Sequence, residues 1–210
     1  MTNEKFNRLA PWIGFIGPLI ALLGIMLAIA ISPSFDWATN ALSDLGHYTR
    51  TDIGENPLVR AAIFNSGLVI TAILMFIFAV WFILQINDLY TKIGLIPFLL
   101  AAIFLAAIGI FSENFGEIHF YVSVGFFASF PFAMWISGIV WLRFPSIRWF
   151  AIISIILPFI SVYIWYITFN GLIWWSGMAI PETITALTVI GWVWVVDILH
   201  QRGKLDILAN

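Results

Sequence analysis

The sequence predicts an all-α, polytopic integral membrane protein. It has six transmembrane helices, both termini cytoplasmic, and a short amphipathic helix in the first outer loop. Three observations carry this reading. The mean hydropathy is +1.02, and 10% of the residues are charged where soluble domains average about 25%. The apolar residues form long continuous runs, whereas a β-barrel would alternate apolar and polar residues in strands of about ten. The 11 Trp and 20 Phe are more than a small soluble core can hide.

The first span is read at 12–31 and is closed by "SPS". The preceding "MTNEKFNRLAPW" lacks a small-residue cleavage site after a short apolar core, so a retained helix is expected rather than a signal peptide. The second span, 57–86, starts where Asn56 suits the N-cap and Pro57 the first helical turn. It exceeds the roughly 20 residues that cross about 30 Å of hydrocarbon, so it should tilt or project. The third to sixth spans are read at 92–111, 118–142, 147–169 and 181–200. Pro97, Pro131 and Pro158 lie inside spans and should kink them. No linker or soluble segment interrupts 1–210, which is read as one transmembrane domain.

Six spans put both termini on one side of the membrane. That side carries Lys5, Arg8, Lys92, Arg143, Arg148, Arg202 and Lys204, and the other only Arg50 and Arg60. Cytoplasmic loops collect the cations, so the termini are expected inside. The acids are sorted the opposite way: Asp36, Asp44, Asp52, Glu55, Glu113, Glu117 and Glu182 fall outside, with His47 and His119. Ionisable groups beside a bilayer are costly unless paired or solvated, so an outer polar site is expected. A wetted rim is the competing account, above all for Asp52 and Glu55.

Each outer loop contributes candidates. In "SFDWATNALSDLG", Phe35, Ala38, Ala41, Leu42 and Leu45 fall at helical spacing, with Ser34 or Asp36 as cap and Gly46 as a left-handed stop. Trp37 would anchor this helix at the interface, and Leu42 and Leu45 would be buried as it folds back as a lid. Ser43 and Asp44 then lie beside His47, although local turn and cap bonding also explains these residue types. In the second loop, Ser112 or Asn114 would cap the fourth span, and Glu117 would suit its dipole. His119 precedes an apolar run and should face the bundle, with Ser123 one turn deeper and Gly116 and Gly125 permitting close helix approach. A buried neutral His with one partner is the plainer alternative. In the third loop Trp174 and Trp175 suit an interfacial belt, and Glu182 needs a partner for which Arg60 is the obvious cation. At the inner end, Asp197 and His200 read as a solvated helix end.

There are no cysteines, and no HExxH, GxSxG or phosphate-binding Gly loop. Nothing resembles a nucleic-acid surface. No cofactor is identified, and a metal held by His47, His119, Asp44 and a Glu is left open.

Four segments, "ALSDLG", "NPLVRAAIFNSGL", "GIF" before "EIHFYVSVGFF", and "PETITAL", resemble the prokaryotic membrane family filed as domain of unknown function 998. Ser112 stands where that family often has Pro, and Thr183 where it often has Arg, so no charge pair is carried over at Thr183. The layout is more distantly similar to a six-helix eukaryotic family of autophagy modulators and GPI-anchor remodelling factors. The resemblances imply Ser43, Asp44, His119 and Glu182 as the shared polar set, and a link to membrane lipid. The expected function is binding or remodelling of lipid at an extracytoplasmic pocket, by acyl transfer or hydrolysis. His119 would be the base or a metal ligand, Asp44 its orienter and Ser43 a nucleophile. A subunit or scaffold of a membrane complex, a homo-oligomer and a small transporter are the alternatives.

Overall fold

The structure, a computed structural model, describes residues 3–208. The side chains of Glu4, Lys5 and Arg8 lie outside the described residues, and with them part of the charge sorting above. Seven α-helices are present among the described residues: α1 (Asn3–Ala30), α2 (Pro57–Gln85), α3 (Leu89–Gly94), α4 (Ile96–Ile110), α5 (Glu117–Trp141), α6 (Arg148–Phe169) and α7 (Ala179–Gln201). They make six spans long and apolar enough to cross a membrane, because α3 and α4 run on as one span, Leu89–Ile110. The interruption at Leu95 is explained by Pro97, which has no N–H to donate and crowds the preceding turn. Pro11, Pro18, Pro131 and Pro158 stay inside continuous helices.

The helices close into a ring: α1 packs on α2, α2 on α4, α4 on α5, α5 on α6, α6 on α7, and α7 returns to α1. We call the end of the ring that carries 31–56 the loop end, and the opposite one the terminus end. In a lipid solvent apolar burial gives little drive to associate, so packing and interhelical hydrogen bonds hold the seams. Tryptophans supply many of these. Trp194 donates to the Phe15 carbonyl across α7 and α1 (3.0 Å). Trp135 donates to the Ile155 carbonyl across α5 and α6 (3.0 Å). Between α6 and α7, Trp192 donates to Ser154 Oγ (2.9 Å) and Trp165 to Thr185 Oγ1 (3.0 Å). Thr71 Oγ1 does the same for α2 and α1, donating to the Gly17 carbonyl (2.8 Å). Indoles serve well here because one edge is apolar bulk and the other a donor.

The first loop is helical over a shorter stretch than its spacing suggests. A turn at residues 37–39 is capped by Asp36, whose Oδ1 accepts from the Ala38 and Thr39 amides (2.8 and 3.0 Å). A 3-10 helix then spans Leu42–Gly46. Gly46 is not a left-handed stop. A Cβ there would meet Asn65 Oδ1 at 2.5 Å, so glycine is needed for the loop to lie on α2. Asn56 does adopt the left-handed conformation (φ 57°), and its side chain caps nothing. Likewise α5 begins after Gly116 (φ 53°) rather than under a Ser112 or Asn114 cap. Gly125, unlike Gly116, does mark a close approach, to the Phe104 ring.

Candidate functional site

The loop end is closed by the first loop, and the other two loops are stitched to it. The third loop is joined through backbone: Ser176 and Gly177 amides donate to the Ala38 carbonyl (2.8 and 2.7 Å), and Ala179 to Asn40 (2.9 Å). The second loop is joined through Asn114, which accepts from the Tyr48 amide (3.0 Å) and whose Nδ2 lies 3.2 Å from His47 Nδ1. Leu42 and Leu45 are buried, as a lid requires. The 3-10 helix that carries them packs on α1, α2 and α7.

Beneath the lid is a cavity between α1, α2, α4, α5 and α7. It encloses about 100 Å³, counted as the space open to the centre of a water molecule. Its walls are apolar apart from Thr71, whose hydroxyl donates to the Gly17 carbonyl, and the loop end, where Ser43, His119, Ser123 and Glu182 line it. Three of the four residues singled out from the sequence therefore share one chamber. Asp44 does not line it.

Glu182 sits in the first turn of α7 and is buried. Its Oε2 accepts from the Leu42 amide (2.6 Å), at the start of the 3-10 helix. A carboxylate so placed complements free amides that no local side chain reaches. The expected Glu182–Arg60 pair does not form. Arg60 is fully buried and turns to the first loop, donating to the carbonyls of His47 (3.2 Å) and Arg50 (2.6 Å). It reaches Leu45 as well, at 3.4 Å. Backbone carbonyls meet most of its donors, and Nη1 has no acceptor. Its position at the start of α2 made a carboxylate look like the natural partner, but the loop's own carbonyls lie nearer.

His119 is held by its own surroundings. Nδ1 donates to the Phe111 carbonyl (2.8 Å), and Nε2 lies 3.4 Å from Ser123 Oγ. Nδ1 therefore carries a proton, and in the neutral imidazole the basic nitrogen is the one on the Ser123 side. The expected orienter, Asp44, is elsewhere. Its Oδ2 accepts from Asn40 Nδ2 (2.8 Å) and the Ala41 amide (3.0 Å), and its Oδ1 pairs with Arg50. No hydrogen bond joins His119 to Ser43 or Asp44, so a Ser–His–Asp relay is not assembled. The reason is local: Asp44 is satisfied by its own turn and by Arg50 six residues on, close to the competing account already attached to it. His47 is tied to Asn114 and stands apart from His119. Among the described residues no three His, Cys, Asp or Glu side chains gather into a metal-holding group.

Two groups were missed as site residues. Glu113 was read only as one outer acid among several. It is half-buried against Asp44, and its buried Oε2 has no donor. Burial first, and the neighbouring Asp44 second, raise its pKa to about 7. Arg50 bridges this pair to the surface. Its hydrogen bond with Asp52 (2.9 Å) holds Asp52 below the usual carboxylate range. Nothing in the spacing of Glu113 marks it, because its partner lies in another loop. The second is Asp197, expected to be solvated but 1% exposed. One of its oxygens accepts from Gln201 Nε2 (2.9 Å), and the other has no donor. His200 beside it packs edge-on against Trp81, with ring centroids 4.9 Å apart.

The family model described as "Protein of unknown function (DUF998)" matches residues 15–198, and the chain belongs to that family. No curated protein and no solved structure matches it.

Proposed function

We propose that this DUF998 protein binds a membrane lipid at the outer face of the bilayer. The lipid's hydrocarbon would enter the cavity and its polar part would lie at Ser43, His119 and Glu182. The observation that carries this reading is the cavity itself, apolar along most of its length with its ionisable groups at one end. That is the pattern of a ligand with the same division. The charge sorting of the loops supports an outward loop end. His119 supports a reaction as well as binding. With Nδ1 committed to Phe111, Nε2 is free to take a proton from a hydroxyl or water attacking an ester, in acyl transfer or hydrolysis. In this reading Glu182 positions the lid, and Asp44 fastens it through Arg50.

Lipid retention tests this directly. Protein purified in mild detergent and incubated with membrane lipid extract should carry bound lipid detectable by mass spectrometry. Ala186→Phe, which fills the cavity wall, should cut retention about tenfold, or about 1.4 kcal/mol. Equal retention by a folded Ala186→Phe protein would end the binding reading. His119→Ala should keep retention and abolish any ester turnover.

A second reading is favoured by one observation. Asp197 is buried on the α7 face that Glu182, Ala186, Val189 and Val193 present to the cavity, at helical spacing. Buried carboxyls at two ends of one face suit a proton-coupled carrier. Solute or proton flux in vesicles, lost in Asp197→Asn, would favour it over lipid binding.

A further inference from the structure

Resting on the lipid-binding reading, we infer that the cavity measures a single acyl chain of about a dozen carbons, with Phe98, Phe130, Met75 and Val193 as its floor. Three helices agree on its depth. Lining residues run from Phe64 to Met75 on α2, from His119 to Phe130 on α5, and from Glu182 to Val193 on α7. Each stretch advances eleven residues, which at 1.5 Å per residue is about 16 Å. The cross-section agrees with one chain. A volume of about 100 Å³ for water centres, spread along about 16 Å, is a tube about 3 Å across. The water radius of 1.4 Å on each side brings it to about 5–6 Å between walls. That admits one hydrocarbon chain and not two side by side.

The inner end is shut by aromatic rings. Phe98 meets Phe130 edge-to-face, with centroids 5.4 Å apart, and Trp192 backs both, at 6.0 and 5.7 Å. Trp192 is itself fixed by its bond to Ser154 and by stacking on Trp141 at 5.8 Å. A floor anchored on two sides does not recede for a longer chain, since packed interiors resist small displacements. An extended chain advances about 1.25 Å per C–C bond, from a bond of about 1.5 Å and an angle near 111°. About 16 Å therefore holds roughly twelve to fourteen carbons from the polar rim to the floor.

The probes are saturated fatty acids and single-chain phosphatidylcholines, from about 8 to about 18 carbons in even steps. They compete for the detergent-purified protein, and bound species are weighed by native mass spectrometry. The expected result is a maximum near 12–14 carbons for both headgroups (~1.25 Å per bond). Phe130→Ala should move the maximum longer by at least about two carbons, and Val193→Phe shorter by a similar amount. Met75→Ala is a gentler lengthening variant, for use if Phe130→Ala does not fold. Binding that rises steadily with chain length, or a maximum that stays put in all folded floor variants, overturns the ruler while leaving lipid binding intact. Binding of no probe by a folded wild-type protein overturns both readings. A ruler seen with fatty acids but not with phosphatidylcholines would confine the ligand to free acids, with the floor argument upheld.

Discussion

At the residue scale, Glu113 is the group whose behaviour the fold changes most. Its pKa of about 7 follows from burial against Asp44, where an ordinary Glu is near 4.3. The sign of the consequence follows from linkage. Between about 4.3 and about 7 the folded state holds a proton that the unfolded state has lost. Stability contributed by this group is therefore greatest in acid and falls as pH rises through 7. Thermal unfolding in detergent should show Glu113→Gln losing part of that decline. The variant should exceed wild type by a few degrees at pH 8 and differ little at pH 5. A wild-type melting temperature that climbs from pH 5 to pH 8, unaffected by the substitution, would contradict the assignment. Arg50 opposes the shift and Asp52 adds to it, and burial still wins.

At the scale of elements, the lid is governed by where backbone must touch backbone. The third loop lies so close to the first that a Cβ on Gly177 would sit 2.3 Å from the Asn40 carbonyl oxygen. Nothing there is the flexible end of a side chain, so Gly177→Ala must part the two loops and break the hydrogen bonds that the Ser176 and Ala179 amides donate. Hydrogen exchange over residues 36–47 should speed up about tenfold or more, the equivalent of about 1.4 kcal/mol or one to two hydrogen bonds. Gly191→Ala is the control. Its Cβ meets nothing within 4 Å, so the same measurement should be unchanged. Unaltered exchange in Gly177→Ala would mean that the loops are not held together. The lid was readable in outline from Leu42 and Leu45, since two leucines in a polar loop need cover. Its short 3-10 form was not readable, because Asp36 and Glu182 cap two separate pieces of what the spacing presents as one helix.

At the scale of the whole molecule, the ring encloses its cavity only because α7 returns to α1. Orientation is the first thing to test. Single cysteines at Thr51 and Ser146 should separate under a membrane-impermeant maleimide added to intact cells, with Thr51 labelled and Ser146 protected. The opposite pattern would turn the site to the inside. The sequence by itself determined the number of spans, their limits to within a few residues for all but α1, the break caused by Pro97, and the face of α5 that His119 and Ser123 share. These are local matters, set by apolar run length, by the missing N–H of proline and by helical periodicity. It also picked out Ser43, His119 and Glu182, because polar groups beside long apolar runs are few. Only the tertiary structure decided their partners. Arg60 went to loop carbonyls, Glu182 to the Leu42 amide, Asp44 to its own turn and to Arg50, and His119 to the Phe111 carbonyl. The reason is range. A buried polar group takes the nearest donor or acceptor the fold brings to it. For Glu182 and Leu42 that neighbour is 140 residues away along the chain, beyond the reach of any spacing rule.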